Sequence, residues 1–163
     1  VVFPTEILPL VNLAANLIIH GTSVVILLGL MVVYGLKLSP YVLQFVYFAV
    51  CMCVLTLALS WLVASVNVFF RDLGQFVAVF LQIWFWVTPI VWSLELFPEK
   101  YRVILRLNPM TYITEGYRAS FLFARPCWED YVYGAYFWAA TLLMLLVGAT
   151  VFRRLKPEFA DML

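Results

Sequence analysis

Residues 41–67 read YVLQFVYFAVCMCVLTLALSWLVASVN, and no Asp, Glu, Lys or Arg interrupts them. At ~1.5 Å per residue such a run makes a helix of about 40 Å, longer than the ~30 Å hydrocarbon core of a bilayer. The chain around it has the same character. Residues 7–36, 73–94 and 131–152 also lack charge, and the uncharged run that holds 41–67 extends over 38–70. With 66% of residues hydrophobic, a soluble fold would need a far larger protein to bury such helices. The sequence predicts an all-α polytopic membrane protein, a single transmembrane domain over 1–163 with spans at 10–35, 41–67, 75–93 and 131–152.

Several function classes lack their residues. No G-x-x-x-x-G-K-[ST] phosphate loop occurs, so ATP hydrolysis is not expected of this chain. The lone histidine, His20, has no Cys, Asp or Glu near it in sequence to build a metal or nucleophile site. Cys51 and Cys53 stand about 200° apart on a helix and Cys127 is isolated, so neither a disulfide nor a metal site is expected. A net charge of +1 gives no footprint for nucleic acid. The chain opens Val-Val-Phe-Pro without Met and is read as the C-terminal part of a longer protein.

The spans carry polar stripes. Asn12, Asn16, His20 and Ser23 fall mostly on one face of the first, and amides or histidine in lipid usually face protein or water. Ala49, Cys53, Thr56, Ser60, Ala64 and Asn67 form a stripe of small residues on the second, which predicts close helix packing there. Asp72, in the 67–75 connection, is placed to cap the third span. On that third span Gln75, Gln82, Trp86, Pro89 and Ser93 share a face, opposite Phe80 and Trp84. Amides, an indole and a hydroxyl along one face read as lining a wet surface. Pro89 is expected to kink or end the helix. Trp84 and Trp92 are read as interfacial anchors or lipid contacts.

Residues 94–130 hold ten of the nineteen charged residues, too many for a span and too aromatic a setting for a linker. Pro98 predicts one short helix start, with Glu99 in its first turn and Arg102 and Arg106 toward its end. Asn108-Pro109 predicts a second, Asn108 as cap and Pro109 at the first position, running to about Phe123. Thr111, Thr114, Glu115 and Arg118 share one face of it, and Ile113, Tyr117 and Phe121 the other. Glu115 and Arg118 are spaced to pair. The two helices are expected to lie on the surface or to dip in as a re-entrant hairpin. The last span ends at Arg153-Arg154-Leu155-Lys156, an anchor cluster. Charge counting puts Arg71, Arg153, Arg154 and Lys156 on one side and Lys37, Lys100, Arg102, Arg106, Arg118 and Arg125 on the other. It favours a cytoplasmic 94–130 segment, but basic residues paired within helices weaken the rule and leave orientation open.

In order along the chain, Phe3-Pro4-x-Glu6-Ile7-Leu8-Pro9, Asn67-Val68-Phe69-Phe70-Arg71-Asp72-Leu73, Leu107-Asn108-Pro109 and Glu115-Gly116-Tyr117-Arg118 resemble ABC-2-type export permeases, in their polysaccharide branch. The ending Tyr136-Phe137-Trp138 through Phe152 to Asp161 is most similar to teichoic acid translocation permeases; O-antigen and capsule export permeases share the pattern. The resemblance covers essentially the whole chain and implies spans three to six of a six-span subunit in the bacterial cytoplasmic membrane. It implies a homodimer driven by two separate ABC ATPase subunits that bind the ATP and Mg, exporting lipid-linked polysaccharide. It also implies roles. Phe3, Pro4 and Glu6 in the 1–9 segment, with Phe69, Phe70, Arg71 and Asp72, would couple to the ATPase. Residues 94–130, with Asn108, Pro109, Glu115, Tyr117 and Arg118, would form an external gate. Gln75, Gln82, Trp86, Pro89 and Ser93 would line the substrate path, and 153–163 would be a cytoplasmic tail. An ABC-2 drug or small-lipid exporter is the alternative, and a membrane-embedded polyprenyl-lipid transferase a more distant one.

Overall fold

The computed structural model describes residues 8–67 and 72–159, and among these the chain forms helices joined by short turns, with no strand. The expected coupling residues Phe3, Pro4, Glu6, Phe69, Phe70 and Arg71 lie outside the described residues. Helix α1 spans Leu8–Val33, α2 Phe45–Asn67, α3 Leu73–Val87, α4 Glu99–Arg106, α5 Pro109–Arg118 and α6 Tyr131–Phe159. Among the described residues, three stretches are long and apolar enough to cross a membrane: Pro9–Val33, Pro40–Asn67 and Tyr131–Val151.

The expected third span is shorter than its sequence suggested. Helix α3 stops at Val87 rather than near Ser93, and its 15 residues reach about 22 Å. The cause is local. Thr88 precedes Pro89 and adopts the extended conformation (φ −78°, ψ 134°) that the proline ring imposes on its predecessor. At the other end of the chain the helix runs past the expected stop at Phe152 and continues to Phe159.

Helix ends elsewhere follow local chemistry. Gly35, at φ +68°, ends α1 in a left-handed turn, with Leu36 N–H donating to the Met31 carbonyl at 2.9 Å; such a turn favours glycine. A 3-10 turn, Pro40–Gln44, leads into α2 behind the Ser39 cap. After α5 the chain widens into a π-helical turn, Ala119–Phe123, and stops at Ala124. That residue has φ 50°, a left-handed conformation disfavoured for a residue with a Cβ.

Helices α2 and α6 make the most extensive contact in the molecule. Gly148 of α6 sits so close to the Ala58 carbonyl of α2 that a Cβ there would lie 3.0 Å from it. The buried face of α2 is Phe48, Cys51, Leu55, Ala58 and Ser65. This corrects the packing assignment of the small-residue stripe. Ala49, Cys53, Thr56, Ser60, Ala64 and Asn67 are at least partly exposed, on the opposite side of the helix. Fit to α6, not residue size alone, selects the packed face. Phe48, Cys51 and Leu55 join Tyr112 and Ile113 of α5 and Phe137 of α6 in the main buried cluster. A second cluster joins Val24 and Met31 of α1, Val42 and Phe121.

Candidate functional site

The start of α5 is welded to the end of α3. Asn108 caps α5, its Oδ1 accepting from Met110 N–H at 3.0 Å, while Pro109 is buried at the first helical position. The same Oδ1 accepts from the indole Nε1 of Trp84 at 2.8 Å. Asn108 Nδ2 donates to Thr88 Oγ1 at 2.8 Å, and that hydroxyl donates to the Trp84 carbonyl at 2.7 Å. One amide therefore satisfies a helix start and braces a helix end. Trp84 is an internal strut here, a role its reading as an anchor or lipid contact missed.

The far end of α5 grips the same break. Arg118 pairs with Glu115 at 2.8 Å, the side chains only 21% and 33% exposed. Its other terminal nitrogen donates to the carbonyls of Ile90 at 3.0 Å and Trp92 at 2.8 Å. These carbonyls belong to the non-helical stretch after α3 and lack a following turn to bond to. A guanidinium supplies several donors in a fixed plane, so it holds Glu115 and both carbonyls at once.

The other flank of α5 packs inward. Tyr112 stacks on Phe137 with ring centroids 4.9 Å apart, and its hydroxyl lies 3.2 Å from that of Tyr47, which also accepts from Trp138 Nε1 at 2.9 Å. Gly116 is seated on the Phe48 ring so closely that a Cβ would collide with it. Tyr117 hydroxyl meets His20 Nε2 at 2.8 Å. Of the expected polar face of α5, Thr111 is fully buried and donates to the Leu105 carbonyl at 2.9 Å.

Polar ties also hold the flanks of the hairpin. Arg102 reaches back to the carbonyls of Phe97 (2.7 Å) and Glu95 (3.0 Å), and Arg106 pairs with Asp130 at 3.3 Å in an exposed setting. Tyr136 donates to the Leu107 carbonyl at 2.7 Å. Gln44 donates to the Arg125 carbonyl at 3.2 Å and accepts from Cys127 N–H.

Helix α3 is bare. No residue of it is buried, and Gln75, Gln82 and Trp86 are exposed on one helical face, Trp86 at 63%. Pro89 is buried and Ser93 caps the Leu94–Leu96 3-10 turn, so the structure does not bring these two onto that face. The helix has ended before either residue. Asp72 occupies the position before α3, but its side chain makes no capping bond; only its carbonyl accepts, from Gln75 and Phe76 N–H.

The sequence that folds into this hairpin and the spans before it matches a known family. The model of the ABC-2 type transporter membrane family aligns with residues 7–122. The chain belongs to this family. It is similar to two O-antigen export system permease proteins of Klebsiella pneumoniae, 26% and 28% identical over 163 residues, 99% of this chain and 62% of each relative. An O-antigen export system permease protein of Myxococcus xanthus is 30% identical over 162 residues, 98% of this chain and 61% of that protein. The chain thus spans about three fifths of the length of the curated relatives it matches. As an ABC-2 chain it is a multi-pass protein of the bacterial cytoplasmic membrane. The matched stretch takes in both helices of the hairpin and ends within the π-helical turn. Within this ABC-2 chain, sequence reasoning singled out Asn108, Pro109, Glu115 and Arg118, and α5 holds them together. It missed the ties of Trp84, Thr88 and Gln44 to other elements, whose partners there lie 20 to 83 positions away. Only the polar character of Gln44 among apolar neighbours hinted at its tie.

Proposed function

We propose that this chain forms part of the permease subunit of an ATP-driven exporter that moves lipid-linked polysaccharide of the O-antigen kind across the cytoplasmic membrane. The observation that carries the reading is the α3–α5 clamp. A hairpin of short helices is locked by Asn108 and Arg118 across the end of a short apolar helix, beside an exposed face of Gln75, Gln82 and Trp86. The similarity to O-antigen export permeases favours that polymer over the teichoic acid chains suggested by the ending of the sequence. The subunit would pair with a second copy and be driven by two ABC ATPase subunits, which would bind the ATP and Mg.

The work is mechanical. Nucleotide-driven movement of the partner subunits would rock the spans and shift the population between closed and open states. In the closed state the clamp holds α5 against the break after α3. Opening requires Arg118 to leave the carbonyls of Ile90 and Trp92, and water or polymer hydroxyls to replace it. Trp86 offers a face for sugar rings and the two glutamines offer hydrogen bonds to hydroxyls. The hairpin would face the exterior.

Depletion of the subunit in cells that make such a polymer tests the reading. The expected result is accumulation of the lipid-linked polymer on the cytoplasmic side with synthesis intact. Normal surface polymer, or retention of a small lipid or drug instead, would overturn it in favour of another ABC-2 substrate class.

A further inference from the structure

We infer that the His20–Tyr117 hydrogen bond is a latch through which span α1 positions the α5 gate. The inference rests on the reading of α5 as a gate.

His20 is the chain's only histidine and sits twelve residues from Leu8 and thirteen from Val33, the two ends of α1. It is therefore about 18–20 Å from either end, where an imidazole in a largely lipid-facing helix needs a protein partner. The other polar side chains bonded along α1 turn back on their own helix. Asn16 donates to the Asn12 carbonyl, Thr22 to that of Ile18 and Ser23 to that of Ile19. Only His20 reaches out, and among the described residues its bond is the one polar link between α1 and α5. The rings meet edge to face, centroids 5.6 Å apart at 90°.

Tyr117 lies where a small shift matters. It follows Gly116, which is seated on Phe48, and precedes Arg118, which grips the break after α3. It also stacks on Phe121, centroids 6.1 Å apart at 14°, in the apolar cluster shared with Val24 and Met31 of α1. Apolar contacts of that kind tolerate sliding. A hydrogen bond does not, since it weakens steeply with distance and angle. The His20–Tyr117 bond therefore has two discrete conditions, made and broken, which is what coupling between elements requires. Helix α1 is unbroken from Leu8 to Val33, so a push at its first turn arrives at His20 as movement of a rod. His20 and Tyr117 are positioning residues in this scheme; neither touches the polymer.

The test uses the full-length permease with its ATPase in polymer-producing cells, comparing H20L, Y117F, the double variant and H20Q. Export is read as surface polymer. Gate position is read as the rate at which a maleimide, present on both sides of the membrane, modifies the native Cys127 on the loop after α5, scored at its peptide. A latch predicts that H20L and Y117F each cut export about fivefold or more and speed Cys127 modification several-fold, at unchanged membrane level. The double variant should be no worse than the stronger single one. H20Q, whose amide nitrogen stands near where Nε2 was, should recover at least half of both signals. Additive losses, unchanged Cys127 rates or failure of H20Q to rescue would overturn the latch. If Cys127 rates follow the cycle while wild-type cells move no lipid-linked polymer, the latch stands and the assigned substrate falls.

Discussion

Helices α3 and α5 touch each other and could hardly be more different. Helix α3 is nearly all apolar and has no buried residue. Helix α5 carries threonines, a glutamate and an arginine, and buries Pro109, Thr111, Tyr112, Ile113 and Gly116 out of ten residues. In water the ranking would be reversed. In a bilayer, apolar side chains are already in a compatible solvent, while polar groups and broken backbone must be sheltered by protein. Burial of α5 therefore marks close fit to protein, and exposure of α3 marks side chains that lipid accepts. Substitutions in α5 should cost stability, and substitutions on the face of α3 should cost function.

The largest effect is expected for Gly116→Val. Its branched side chain would have to displace the Phe48 ring, itself 2% exposed, and overpacking of this kind costs about 2–3 kcal/mol; thermal unfolding in detergent should fall well below wild type. Arg118→Ala comes next, at about 2 kcal/mol, because it strands Glu115 and the carbonyls of Ile90 and Trp92; Arg118→Lys should fall between, and the same unfolding assay reads both. Asn108→Ala should cost about 1–2 kcal/mol through the lost cap and the orphaned Trp84 indole. Trp84→Phe removes the indole donor and part of the ring but leaves Asn108 Oδ1 its bond from Met110 N–H, a loss of about 1 kcal/mol. The smallest stability effect belongs to Trp86→Ala, within about 0.5 kcal/mol as for an exposed position, yet it should lower polymer export several-fold. A Trp86→Ala variant as unstable as Gly116→Val would break the contrast between the two helices. A stable one with normal export would remove Trp86 from the path and leave the contrast as packing alone.

Much of this is legible in the sequence, for physical reasons that differ by residue. The spans follow from composition, because a helix in lipid has no alternative way to satisfy its backbone. Asn108 and Pro109 were legible because capping is decided within three residues. Glu115 and Arg118 were legible because their spacing is helical. The premature end of α3 was half visible in Pro89, but its effect falls on Thr88, one residue earlier. What stayed hidden was the choice among partners. His20 and Tyr117 are 97 positions apart, and nothing in either neighbourhood specifies the other. The stripe of small residues on α2 misled for the same reason: its composition permits close approach, but the fit of Gly148 to Ala58 decides which side is used.

The seat of Gly116 on Phe48 and the stacking of Tyr112 on Phe137 set an order on biogenesis. Helix α5 leaves the ribosome before α6, yet Phe137 of α6 is part of the cluster that shelters it. Being ten residues long with an internal ion pair, it would not be inserted as a span on its own. The hairpin would have to wait at the interface until α6 enters beside α2, and only then settle between them. A nascent chain halted before Tyr131 would hold its spans in the membrane and its hairpin undocked, exposed to whatever quality-control proteases patrol that surface.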